Sequence, residues 1–124
     1  MIVRPRPLVI GHRGNPGNPL NTRKIENIIP SFNSALGICD GIECDVGLSA
    51  AGKILLKPGK RFGVPFAHHD DTFGRVVISP DGDDSKHVSM YPWEAIKRAR
   101  FIESDTARIP SLDEVPLIDG KFYL

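Results

Sequence analysis

Residues 41–46 read GIECDV, a stretch with the character of a buried β-strand and two acids inside it. Successive side chains of a strand point to opposite faces, so Ile42, Cys44 and Val46 share one face while Glu43 and Asp45 share the other. Two carboxylates standing side by side repel each other, and burying either costs several kcal/mol unless something positive lies between them. The stretch therefore calls for a cation nearby.

Upstream, PLVIGHRG (residues 7–14) carries a continuous apolar run, Leu8 to Ile10, that empties into Gly11, His12, Arg13 and Gly14. Such a run reads as a strand buried on both faces, as in parallel sheets, with polar groups at its C-terminal end. Between the two strands, IENIIPSFNSALG (residues 25–37) sets Ile25, Ile28, Ile29, Phe32, Ala35 and Leu36 at helical spacing. Asn27 is the expected N-cap, Pro30 falls in the tolerated first turn, and Gly37 ends the helix. Strand, helix, strand is the crossover unit of a parallel sheet.

Downstream, SAAGKILLKPGKRFG (residues 49–63) reads as a hairpin or excursion, with turn signals at Gly52 and at Pro58 and Gly59. VPFAHHDD (residues 64–71) reads as a third strand, again ending in polar groups, and ISPDGDDSKH (residues 78–87) as a loop. YPWEAIKRARF (residues 91–101) predicts a short helix with Pro92 near its start, and Ser111 and Glu114 have the spacing of a capping box. KFYL (residues 121–124) looks like the opening of a fourth strand.

The chain has 124 residues, 40% of them hydrophobic, the size of one domain with a core of ordinary extent. Sixteen basic and fifteen acidic residues leave a formal charge of +1, so no overall field favours a nucleic acid or a membrane surface. No stretch approaches the ~18–20 apolar residues of a membrane span, and the N-terminus lacks the pattern of a signal peptide. Cys39 and Cys44 form no C-x-x-C pair and read as buried thiols. The expectation is a cytoplasmic protein without a transmembrane segment.

Three strands thus deliver unusual residues at their C-terminal ends: His12 and Arg13, Glu43 and Asp45, and a histidine of HHDD. In parallel α/β folds, and in (β/α) barrels above all, that edge is where chemistry is built. The competing reading of the acid pair is an edge strand with two solvated carboxylates. The functional reading is a hard divalent cation, Mg²⁺ or Ca²⁺, between oxygen ligands. On the third strand the small Ala67 leaves room for His69 on its own face, which favours His69 over His68. A histidine near neutral pKa both takes and gives protons within one cycle. Asp81, Asp83 and Asp84 hint at a calcium loop, but the Glu that would close an EF-hand is missing.

In order, GHRG, ENIIPSF, DGIECDVGLS, HDDTFGR and IPSLDEV resemble the N-terminal part of the glycerophosphodiester phosphodiesterase (GDPD) family. The resemblance implies an α/β fold, a partial TIM (β/α) barrel of the PLC-like phosphodiesterase type comprising about the first three to four strands, with residues 1–124 as one domain. It implies metal-dependent hydrolysis of glycerophosphodiesters to glycerol 3-phosphate and an alcohol. His12 and His69 would then be the acid and base pair, Glu43 and Asp45 metal ligands, Arg13 a phosphate contact and Glu26 a substrate-binding residue at the mouth of the site. The partner would be a small-molecule glycerophosphodiester.

Several features depart from the family pattern. Ile28 stands where a Thr is usual after Glu26-Asn27, and Leu20 stands for an acid in NPLNT (residues 18–22). The segment KPGKRFG is an insertion whose Lys57, Lys60 and Arg61 could touch an anionic substrate, a solvated loop being the favoured reading. Such barrels need about 250 residues, and the family's third metal carboxylate and a phosphate-binding lysine fall beyond KFYL. The expectation is a fragment or truncated reading frame. Its alternative function is that of a truncated, non-catalytic remnant that only binds a ligand or partner.

Overall fold

The computed structural model describes residues 7–14, 25–50, 55–57, 60–61, 63–115 and 122–123. The expected loop at 15–24 and the turn signals at 52, 58–59 and 119–120 lie outside the described residues, as do contacts of the Lys57, Lys60 and Arg61 side chains. Three elements build the part that carries the site: strand β1 (Ile10–His12), helix α1 (Ile29–Leu36) and strand β2 (Gly41–Glu43). β1 and β2 pair in parallel with Ile10 opposite Gly41 and His12 opposite Glu43, so the ends of both strands are level. A further strand, Phe122–Tyr123, pairs in parallel with the other side of β2. The segment expected as a fourth strand is therefore the third strand of the parallel sheet.

The reason is the behaviour of the chain between them. GIECDV is two strands, not one: β2 ends at Glu43, and after Cys44 and Asp45 the chain enters β3 (Val46–Leu48). β4 (Leu55–Lys57) and β5 (Lys60–Arg61) form the expected antiparallel excursion, and β6 (Pro65–Ala67) then returns antiparallel to β3 with Gly47 opposite Phe66. VPFAHHDD thus belongs to a hairpin-like sheet of its own rather than to the parallel sheet. Alternation alone does not distinguish the two, because parallel and antiparallel strands share the same two-residue period. The last strand, Phe122–Tyr123, is β7.

Helix α1 covers the parallel sheet with Phe32 and Ala35, which pack with Ile42, Cys44, Ala67 and Val115 into one core cluster. Its N-cap is Ile28 in extended conformation, with no side-chain cap, and Gly37 closes its C-terminus. Asn27 is therefore not the cap. A second and larger cluster joins Ile25, Ile28 and Phe66 to Phe73, Val77, Tyr91, Ile96 and Phe101 from the irregular segment that follows β6. That segment holds the short helix α2 (Trp93–Ile96), with Pro92 at its N-cap, and two 3₁₀ turns at Val88–Met90 and Leu112–Glu114. Ser111 and Glu114 do meet, through their side chains at 3.0 Å, but Ser111 makes no cap bond to the backbone.

The apolar run before β1 also departs from expectation: Leu8 and Val9 are 62% and 55% exposed. β1 lies at the edge of the sheet among the described residues, so that run lacks a neighbour on one side. No helix among the described residues is long and apolar enough to cross a membrane.

Candidate functional site

The level ends of β1 and β2 set His12 beside Glu43, with Nε2 to Oε2 at 3.4 Å. One residue further on, Arg13 turns into the left-handed region at φ 53°, a conformation that non-glycine residues seldom adopt. Gly14 follows at φ 77°, where a Cβ would stand 2.9 Å from the Phe32 ring and 3.0 Å from its backbone nitrogen. Only glycine permits this approach of the strand end to helix α1.

Opposite this turn lies a second left-handed residue. Asn27, at φ 56°, donates its backbone N–H to the Arg13 carbonyl at 2.9 Å. Its side chain clasps Asp45 twice: Nδ2 donates to Oδ2 at 3.2 Å and Oδ1 accepts from the Asp45 N–H at 3.3 Å. Asn tolerates this conformation better than most residues, and strain of this kind gathers at functional sites. The residue expected as a helix cap is thus the bracket that holds a site carboxylate after the end of β2.

Burial follows the alternation read from the sequence as far as Asp45: Ile42 and Cys44 are buried, Glu43 and Asp45 half-buried. Beyond that the alternation fails, and Val46 is exposed because the chain has entered the other sheet. Desolvation, followed by the Glu43 and Asp45 charges, pushes the Cys44 thiol up to about 11, so it sits neutral behind the acids.

His69 arrives from the end of β6, with Nδ1 3.9 Å from Asp45 Oδ1 and its side chain 40% exposed. His68 goes the other way. It is buried, its ring lies 4.9 Å from that of Phe73, and its Nε2–H donates to the Thr72 carbonyl at 3.1 Å. Burial lowers its pKa from the ordinary value, outweighing the Thr72 contact and the nearby acids.

Glu26 joins from the residue before Asn27, with Arg13 Nη1 at 3.4 Å from both of its carboxylate oxygens. Arg75 holds the same carboxylate more tightly, Nη1 to Oε1 at 2.9 Å and Nη2 to Oε2 at 2.8 Å, while its Nε donates to Asp70 Oδ2 at 2.7 Å. Burial would raise the pKa of Glu26, but the Arg75 bonds and the charges of Arg75, Arg13 and His69 together hold it below the usual range. The same balance of burial against Arg75 keeps Asp70 low. In the sequence Arg75 is only the last letter of HDDTFGR, and no spacing rule gives it a task.

The six residues singled out in the sequence fall into two contact groups: His12 with Glu43 at 3.4 Å, and Arg13 with Glu26 and Asp45 at 3.4 Å, Asp45 in turn 3.9 Å from His69. The level strand ends and the short Glu43-Cys44-Asp45 stretch set the two groups side by side. Two atoms in this cluster are buried without a hydrogen-bond partner, Glu43 Oε1 and Arg13 Nε. Arg13 Nε lies 3.4 Å from Asp45 Oδ2, close enough for attraction yet outside hydrogen-bond geometry. Among the described residues no group of three or more His, Cys, Asp and Glu side chains is arranged as a metal site. The donors at hand for a cation are the two carboxylates, and the orphaned Oε1 of Glu43 is a hard oxygen of the kind Mg²⁺ or Ca²⁺ takes. A cavity of about 180 Å³ borders Glu26 and Arg75 but is lined by neither histidine nor Glu43 nor Asp45. Set against known proteins, the chain matches no family model, no curated relative and no solved structure.

Proposed function

We propose that this cluster is a phosphodiesterase site of the glycerophosphodiester phosphodiesterase kind, built on the first strands of a (β/α) barrel. The observation that carries the reading is the unpaired, buried Glu43 Oε1, on a carboxylate that contacts His12 and stands two residues before Asp45, which itself contacts Arg13 and His69. A buried carboxylate oxygen left without a partner costs on the order of 1–3 kcal/mol or more, a cost offset when a cation binds. Glu43 and Asp45 would hold the cation, Mg²⁺ or Ca²⁺. When bound, it offsets the charge of the carboxylates and of the phosphoryl oxygens.

The chain's own residues then divide the work. Arg13 presents guanidinium N–H groups to a phosphate oxygen, for which a planar fork is well shaped. Glu43 engages Nε2 of His12 and Asp45 faces Nδ1 of His69, which leaves the opposite ring nitrogens for proton transfer. One histidine takes the proton of the nucleophile, a water or the neighbouring glycerol hydroxyl, and the other protonates the departing alcohol oxygen. With water as nucleophile the products are glycerol 3-phosphate and an alcohol. With the hydroxyl as nucleophile the alcohol leaves first, giving a cyclic glycerol phosphate that water then opens to glycerol 3-phosphate.

A second reading is a module that binds a phosphate-bearing ligand without turning it over. It is favoured by Asp45, whose Oδ2 already accepts from Asn27 and lies beside Arg13. An assay with glycerophosphocholine separates the two. Release of glycerol 3-phosphate that requires Mg²⁺ or Ca²⁺ and is lost in both His12→Ala and His69→Ala supports the enzyme. Turnover retained in either variant refutes the assignment, and glycerol 3-phosphate binding without turnover leaves the binding module.

A further inference from the structure

The proposed chemistry gives Arg75 no task, yet Arg75 makes the strongest contacts in the cluster. Its guanidinium grips both oxygens of Glu26 at 2.8–2.9 Å and reaches Asp70 at 2.7 Å. Arg13 approaches the same Glu26 carboxylate only to 3.4 Å at each oxygen, and its Nε has no hydrogen bond. Charge-assisted N–H···O bonds run at about 2.7–2.9 Å. Glu26 is thus fully engaged by Arg75 and only loosely by Arg13. Arg13 has acceptors near enough to orient it and too far away to use up its donors.

From this inequality we infer that Arg75 sequesters the Glu26 carboxylate and so keeps the Arg13 guanidinium available to an incoming phosphate-type anion. Arg75 is a positioning residue, acting through Glu26. A carboxylate gains most from a two-point guanidinium contact. Deprived of Arg75, Glu26 closes onto Arg13, which is already beside it, and an anion must then displace it. Arg75 also ties the His69–Asp70 segment to Glu26, so a purely architectural role makes an opposite prediction. If Arg75 were only a brace, removing Glu26 as well would leave the cluster no better formed.

The effect on a ligand rests on the reading of Arg13 as the phosphate contact, and the test keeps the two apart. Inorganic phosphate is titrated into the chain and its Arg75→Gln, Glu26→Gln and doubly substituted forms. Arg75→Gln is expected to weaken phosphate binding about tenfold, the scale of a single charge-assisted hydrogen bond that a competing carboxylate has taken over. Adding Glu26→Gln should recover most of that affinity, whereas a double variant as weak as Arg75→Gln overturns the inference. The same proteins without phosphate are compared by ¹⁵N NMR of the Arg13 guanidinium. Arg75→Gln should slow exchange of its N–H protons with water, and the double variant should reverse this; an unchanged signal in Arg75→Gln overturns the inference. If the unsubstituted chain fails to bind phosphate, the assignment of Arg13 falls and the NMR comparison alone decides. Should Arg75→Gln fail to fold, Arg75→Lys with and without Glu26→Gln carries both comparisons, with the same pattern at smaller amplitude.

Discussion

In the turn that runs from Ser79 to Tyr91, Asp81, Asp83 and Asp84 each have a donor, whereas at the ends of β1 and β2 Glu43 Oε1 and Arg13 Nε are buried without a partner. Asp81 accepts from the Tyr91 hydroxyl at 2.5 Å and from Lys86 at 3.2 Å, Asp83 from the Ser85 hydroxyl at 2.6 Å, and Asp84 from Ser79 at 2.5 Å. The Tyr91 and backbone bonds hold the Asp81 carboxyl down at about 2. These acids staple a turn. The difference from the strand ends is one of burial and satisfaction together: both regions are rich in acids and carry basic side chains, but the acids of the turn are exposed and paired, whereas the two strand-end atoms are buried and unpaired. Buried polar groups in native proteins are nearly always paired, so two orphans in one place are a departure that a ligand would explain. The calcium-loop pattern of the turn and the acid pair of GIECDV look alike in sequence, and their partners tell them apart.

Neighbouring histidines give the strongest way to break the comparison. His69→Ala removes a half-exposed ring beside Asp45 and should cut turnover by a factor on the order of 10²–10⁴ while leaving the melting temperature nearly unchanged. His68→Ala removes a buried ring packed on Phe73 and frees the Thr72 carbonyl, and should cost about 2–3 kcal/mol of stability by denaturant unfolding. If the two effects were exchanged, the division into a reactive and a structural histidine would be wrong.

A smaller effect concerns acidity. Burial lowers the His68 pKa below 6.5, so the unfolded chain takes up a proton at higher pH than the folded one. Stability should therefore hold above pH about 6.5 and fall as pH drops through that value toward the folded pKa. Glu26 and Asp70 are also lowered, from 4.5 and 3.8, and their contribution is lost only at pH below those values. Melting curves between pH 7.5 and 5 should show the first loss, and His68→Phe should flatten it. A slope unchanged in His68→Phe would assign the loss to another group.

The smallest effect belongs to the stapled turn. Tyr91→Phe removes the donor to Asp81 and should lower the melting temperature slightly with phosphate affinity unchanged. A change in affinity would mean that the turn communicates with the strand ends.

The parallel β1–α1–β2 unit is legible in the sequence because it is local: an apolar run ending in GHRG, a helix at 3.6-residue spacing and a strand of period two lie within 40 residues. The face shared by Glu43 and Asp45 is legible for the same reason, although the strand stops between them. The antiparallel pairing of β6 with β3 is not, since partner choice depends on contacts across the excursion at 49–63 and not on local pattern. Asn27 misleads because the residue types that cap helices are also those that tolerate a left-handed backbone, and only the position of Asp45 decides which use it has. Arg75 reaches Glu26 across 49 positions of sequence, a distance over which no spacing rule operates.

The central claim is that the strand ends, and not the acidic turn, await a cation. Titration with Mn²⁺ followed by paramagnetic broadening of backbone amide signals tests it directly. Signals of residues 12–13, 43–45 and 69 should broaden first, with those of residues 81–86 sharp at the same metal concentration. Broadening centred on residues 81–86, or none at the strand ends, would contradict the account.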